Sequence, residues 1–126
     1  MSVTQEAVRT TQEIADRLVQ LCREGKYEEA QNELFSDDAE SVEPPGVPGL
    51  QTVQGLDKIR QKGQDFQNMV ETIHSGSISD PLVAGRFITV AMILDATYKG
   101  MGRQKMEEIA LYETKDGKIV KEQFFF

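Results

Sequence analysis

GRFITVAMILDATYKGMGRQKMEEIALYETKDGKIVKEQFFF, residues 85–126, is the stretch whose reading decides the fold. Runs rich in β-branched and aromatic residues are separated by two short glycine-bearing turns, MGRQ at 101–104 and KDG at 115–117. That pattern predicts consecutive antiparallel strands. The last run ends on Phe124, Phe125 and Phe126. Chain ends fray unless they are tied down, and three exposed rings in a row invite aggregation. The tail is therefore expected to be an interior strand.

The first strand of the series, residues 83–99, carries a second message. Its even positions read Ile88, Val90, Met92, Leu94, Ala96 and Tyr98; its odd positions read Phe87, Thr89, Ala91, Ile93, Asp95 and Thr97. A sheet with one wet side alternates cleanly between apolar and polar. Here neither set is a solvated face, so both sides are expected to be covered. The chain has helix enough for one side only, and a second copy is the economical cover for the other. A homodimer through the odd face, with Ile119 and Phe125 joining it, is the expectation.

Upstream of the strands the period changes. In TQEAVRTTQEIADRLVQLCREG, Ala7, Ile14, Leu18 and Leu21 recur at helical steps, with Thr4 as a candidate N-cap and Gly25 as a stop. A second helix has Tyr27, Ala30 and Leu34 inward and Glu28, Glu29 and Glu33 outward. DDAESVEPPGVPG reads as a short extended piece broken by prolines. GLDKIRQKGQDFQNMV is a third amphipathic helix, with Leu56, Ile59, Phe66 and Val70 on its apolar side. Gly63 within it is expected to mark close packing against a neighbour, since glycine there costs up to about 1 kcal/mol relative to alanine. Residues 72–79 form a weaker strand. Helices followed by antiparallel strands make an α+β plan, helices on one face of a curved sheet.

Composition narrows the classes of function. The 126 residues suit one domain, 1–126, with 39% hydrophobic and 28% charged residues. A net charge of −7 argues against nucleic acid and anionic membrane as partners. Cys22 stands alone, so no internal disulfide forms, and it reads as a small core residue in a reducing, cytoplasmic setting. The N-terminus is too polar for a signal peptide, and no apolar run approaches the roughly 20 residues of a membrane span. No ligand spacing for a metal, no glycine-rich phosphate loop and no nucleophilic triad is present, so neither a metal nor a cofactor is expected.

GKYEEAQNELFSDDAESVEPP at 25–45, VQGLDKIRQ at 53–61 and the strands from Gly85 to Phe126, with the crisp motif DGKI at 116–119, resemble the nuclear transport factor 2-like superfamily, its SnoaL-like branch above all. The resemblance spans nearly the whole chain. It implies three helices packed on a strongly bent, mostly antiparallel sheet, a cone-shaped α+β barrel. It also implies a pocket between helices and sheet, and dimerisation through the sheet's other face. This fold hosts enzymes, carriers and binding modules alike.

The residues that carry catalysis in related enzymes do not transfer. Ketosteroid isomerases place a base Asp where Pro44 stands here, an oxyanion-hole Tyr near Leu18 and a second Asp near Ala110. Limonene-epoxide hydrolases use an Arg-x-Asp pair, which this sequence lacks. SnoaL-type cyclases use an Asp beyond the DGKI strand, and the sequence through Phe126 has no match to it.

The same resemblance puts the even-numbered residues of the last three strands on the pocket side. Met92, Leu94, Tyr98, Tyr112, Phe124 and Phe126 are then the expected ligand-binding wall, Tyr98 with its hydroxyl at the mouth. Glu108 and Glu122 stand among them, and alternation along the weak strand turns Thr72 and His74 inward. A carboxyl buried in such a cup has a raised pKa and can act as a general base near neutrality. Glu108, Glu122 and His74 are the candidate catalytic residues. A tight KDG turn sets Ala110 opposite Glu122 and Glu108 opposite Phe124, making the two glutamates diagonal neighbours. Binding of a small apolar organic ligand is the leading expectation; a small isomerase, cyclase or lyase, or a protein-interaction accessory module, are the alternatives.

Overall fold

The computed structural model describes residues 8–46 and 51–126. Helix α1 (Thr11–Arg23) opens on a capping box at Thr10 and Glu13: the Glu13 amide donates to the Thr10 hydroxyl at 3.1 Å, and the Thr10 amide donates to the Glu13 carboxylate at 2.8 Å. The helix thus begins later than the expected cap at Thr4, which lies outside the described residues, as does Ala7. It ends where Gly25 takes φ +75°, a conformation that favours glycine. Its apolar stripe, Ile14, Leu18 and Leu21 with Ala15, Val19 and Cys22, is buried.

Helix α2 (Tyr27–Leu34) buries Ala30 and Leu34, and α3 (Leu56–Met69) buries Leu56 and Ile59. Gly63 is not held by close packing. A Cβ there would meet only the Gln31 side chain at 3.7 Å, an ordinary contact.

Strands β1 (Phe35–Val42), β2 (Val53–Gln54), β3 (Val70–Ile78), β4 (Leu82–Ala84), β5 (Phe87–Tyr98), β6 (Gly102–Lys115) and β7 (Lys118–Phe125) form one sheet in the order β2-β1-β7-β6-β5-β3, with β4 also on β5. All pairings are antiparallel except β1 with β7. The expected strand 83–99 is two strands, because Gly85 at φ +60° folds β4 back onto β5. The KDG turn has Asp116 at φ 53° and Gly117 at φ 78°, the two left-handed residues of a tight hairpin.

The central hairpin β5–β6 keeps register without interruption from Phe87↔Glu113 to Tyr98↔Gly102. Its neighbours do not. On β3 the register slips at Glu71 and again at His74, and on β7 an extra residue, Val120, intrudes between Ile119↔Thr114 and Lys121↔Glu113. Each such bulge bends the sheet and turns the following side chains over. The one on β7 sends Ile119 into the core at 0% exposure, not to the outer face as alternation requires. The tail is tied between β1 and β6, yet only Phe124 packs on the core; Phe125 and Phe126 are 47% and 51% exposed. Among the described residues no helix is long and apolar enough to cross a membrane.

Candidate functional site

The helix-facing side of the sheet carries a polar network set into an apolar wall. Alternation on β1 brings Ala39 and Ser41 to that side, and Glu43 follows just past the end of the strand. On α3, Lys62 lies three residues after Ile59 and four before Phe66, within the apolar stripe. Its ammonium donates to the Ser41 hydroxyl at 2.7 Å, to the Glu43 carboxylate at 2.8 Å and to the Gln51 carbonyl at 3.4 Å. Ser41 in turn donates to Glu122 on β7 at 2.7 Å. The Lys62 and Glu43 side chains are 19% and 8% exposed, and Glu122 is 6% exposed. An ion pair this sheltered is held by its hydrogen bonds as much as by Coulomb attraction.

Glu108 joins from β6, opposite Met92. Burial pushes its carboxyl up to about 7, with the charges of Glu43 and Glu122 adding to the rise. Burial also pushes Glu122 up to about 7; the Ser41 hydrogen bond and the Lys62 ammonium pull it down, and Glu43 pushes it up. Like charges repel most strongly for whichever group ionises second, so these carboxyls titrate as a coupled set. Above them, burial raises Tyr112 well beyond an ordinary phenol, and raises the Cys22 thiol to about 12, leaving it inert. Burial raises Tyr27 too, with Cys22 and Glu108 contributing. Tyr112 stands directly across from Glu122 on the helix-facing side of the sheet.

The sequence-predicted residues divide accordingly. Glu108 and Glu122 both face the helices, but they are not diagonal neighbours: Tyr112 pairs with Glu122 and Ala110 with Phe124, two positions away from the expected register, one because the turn holds only Asp116 and Gly117 between the paired Lys115 and Lys118, and one because of the Val120 bulge. His74 leaves the site. It is the extra residue of a bulge, exposed, with Nε2 2.7 Å from the Thr97 hydroxyl on the outer face. Thr72, paired with Thr97, goes with it.

Tyr112 is buried and edge-on to Phe35, with ring centroids 6.4 Å apart. Tyr98 is buried rather than at the mouth, its hydroxyl 3.1 Å from the Met106 sulfur and its ring edge-on to Phe66. Met92 and Phe124 pack partly buried against the core, and Leu94 is half-buried beyond them. Phe126, half exposed past the end of β7, does not wall off the site.

Sequence reasoning missed Ser41, Glu43 and Lys62, and Tyr27, expected inward on α2, is 44% exposed. The available signal was Lys62 itself, a charge in the apolar stripe of α3. Among the described residues no group of three or more His, Cys, Asp or Glu side chains is arranged to hold a metal ion. Two surface hollows lie elsewhere. One of about 620 Å³ lies between α1 and Asp80–Pro81, and one of about 520 Å³ surrounds the start of α3.

Residues 9–126 match the SnoaL-like domain. The chain belongs to that family. Among solved structures it is similar to a protein from Mesorhizobium loti named a "putative SnoaL-like polyketide cyclase [carbohydrate phosphatase]", at 34% identity and a TM-score of 0.87 over 94% of this chain and 100% of that one. It is also similar in fold to a protein of unknown function with cystatin-like fold from Xanthomonas campestris (18% identity, TM-score 0.77, 93% and 90% covered). A third likeness is to a protein with a ketosteroid isomerase-like fold from Catenulispora acidiphila, solved in complex with trimethylamine (20% identity, TM-score 0.71, 93% and 87% covered). No curated protein matches the chain.

Proposed function

We propose that this SnoaL-like domain binds a small organic molecule between its helices and its sheet. The apolar part of the ligand lies against Met92, Leu94 and Phe124, and its polar part meets Glu108 and Glu122. One observation carries the reading: Glu122, 6% exposed, is held by Ser41 through one oxygen only. Burying a carboxyl costs several kcal/mol unless it is compensated. A fold gains nothing in stability from such a group, and a ligand gives it a use. The trimethylamine complex of the Catenulispora acidiphila protein is a precedent, within the shared fold, for a small organic ligand. The test is mass spectrometry of the freshly purified chain for a retained small molecule, followed by NMR of the chain with that molecule added back. Shifts at Met92 and Phe124 are expected. Shifts confined to the hollow at Arg23 and Asp80, or to that at Asp57 and Arg60, overturn the reading.

A second reading is favoured by Glu108, whose carboxyl is pushed to about 7 beside the ligand's place. Its ionised form would take a proton from the carbon next to a carbonyl, the bonding pair moving to the carbonyl oxygen as an enolate. Glu108 would then return the proton to another carbon, completing an isomerisation. Loss of deuterium exchange into a bound ketone in Glu108→Gln is the expected result.

The outer face supports assembly as a homodimer in the cell's aqueous interior. The directly paired Ile109 and Phe125 are 46% and 47% exposed there, and Phe87, farther along the same face, is 38% exposed, apolar surface that a second copy would cover.

A further inference from the structure

Among the described residues, the valences left open in the helix-facing site are carboxylate acceptors and one phenol hydroxyl, which both donates and accepts. Lys62 has three N–H bonds, and they go to Ser41, Glu43 and Gln51. Ser41 has one O–H, and it goes to Glu122 Oε2. The strongest donors of the network are thus fully engaged. Glu122 Oε1, the second oxygen of Glu43 and both oxygens of Glu108 have no hydrogen-bond partner among the described residues. Neither has the hydroxyl of Tyr112, a side chain 97% buried by its 3% exposure. Its ring stands directly opposite Glu122 across the β6–β7 pairing, on the helix-facing side.

The charge count points the same way. Among the described residues, Glu43, Glu108 and Glu122 face a single cation, Lys62. The other ionisable groups near them, Cys22, Tyr27, Tyr98 and Tyr112, are all neutral when protonated. An anionic ligand would meet unpaired carboxylates and no free cation. The ring of Phe124 already receives a cation, the Lys62 ammonium 5.8 Å from its centroid.

We infer that the ligand of this site is a small organic cation, an amine borne on an apolar body, whose N–H groups complete Glu108, Glu122 and the Tyr112 hydroxyl. The inference rests on the proposed binding between helices and sheet. It supplies that pocket with a chemical class and carries a proton linkage. A cation favours the ionised carboxyls, so binding displaces protons from Glu108 and Glu122. Affinity then rises as pH increases through about 7, where both carboxyls titrate in the free protein.

Three probes of one shape and different charge make the test: cyclohexylamine, cyclohexanol and cyclohexanecarboxylate, titrated into the full chain by calorimetry and by NMR of Met92 and Phe124. The amine is expected to bind at least tenfold more tightly than the alcohol at pH 8, with the carboxylate weakest. The amine should release protons on binding and tighten between pH 6 and pH 8. In Glu108→Gln and Glu122→Gln, with folding checked by their spectra, the amine-to-alcohol ratio should fall towards one. An alcohol that binds as tightly as the amine overturns the cation inference and leaves the pocket standing. Amine shifts confined to the acidic surface, at Asp16 and Asp80, overturn it as well. If none of the three probes moves Met92 or Phe124, the pocket reading falls, and this inference with it.

Discussion

The two sides of the sheet are made by the same strands and have opposite characters. On β5, the helix-facing residues Ile88, Val90, Ala96 and Tyr98 are all buried, while Phe87 on the outer side is 38% exposed. The helix side adds a buried acid network to its apolar wall. The outer side is divided along its length. Ile109 and Phe125, directly paired, expose apolar surface at its middle, and Phe87 exposes a ring at one end beside the Arg86–Glu113 ion pair; at the other end, Arg103 grips Asp95 with two hydrogen bonds of 2.9–3.0 Å, and His74 meets Thr97. Burial concentrates energy on the first side, so equal truncations on the two sides should differ sharply.

Tyr112→Ala on the helix side should therefore have the largest effect. The ring is buried and packed edge-on to Phe35, and truncations of this kind cost about 3–5 kcal/mol. Phe87→Ala on the outer side, where the ring lies 4.9 Å under Arg86 and partly in water, should cost about 1 kcal/mol or less at concentrations where the chain is monomeric. Urea unfolding of both variants measures the contrast. Equal losses would mean that the outer side is as well packed as the inner.

The acid network should make stability fall with rising pH. Glu122 is held near 7 in the folded chain against an ordinary value of 4.5. The folded state thus binds the proton more tightly than the unfolded one. Its contribution is fully present below pH 4.5 and is lost as pH rises through about 7. The loss is on the order of 3 kcal/mol between these limits. Glu122→Gln stays neutral, so the difference between its stability curve and the parent's should grow in its favour from pH 5 to pH 8. A difference that stays flat with pH would show that Glu122 is ionised in the folded state throughout.

The contrast between the sides also explains what could be read from sequence. On β5 and β6 the pairing has no interruption, so simple alternation placed Met92, Glu108, Ala110 and Tyr112 on the helix side correctly. Bulges defeated it at His74 and Ile119, because one extra residue reverses the face of everything after it, and nothing local in IHSG or KIVK announces that insertion. The three-helix, curved-sheet plan was legible, because the turn chemistry of KDG and the periods of the helices each report it independently. The Lys62–Ser41–Glu122 link was not. It joins α3, β1 and β7, segments whose approach depends on tertiary packing.

On the outer face, association is the sharper probe. A chain of 14.1 kDa should sediment at twice that mass at micromolar concentration. Phe125→Asp would set a charge beside Ile109, its cross-strand neighbour, and should weaken the dimer at least tenfold, about 1.4 kcal/mol. A parent chain that remains monomeric would leave Ile109 and Phe125 without the partner proposed for them.

The smallest effect is expected at His74, where the two sides meet in one residue's history. Alternation along its strand puts the imidazole among Glu108 and Glu122; the bulge puts it in water, its ring nitrogen on Thr97 and near Asp95. An exposed hydrogen bond of this kind contributes little, so His74→Ala should change stability by less than about 0.5 kcal/mol. It should also leave cyclohexylamine binding unaltered between pH 6 and pH 8, since the carboxyls that titrate there lie on the opposite side of the sheet. If His74→Ala instead shifted the pH midpoint of amine binding, the imidazole would have to reach the helix side. The register assigned to β3 at Ile73↔Ala96 and Ser75↔Asp95 would then be wrong.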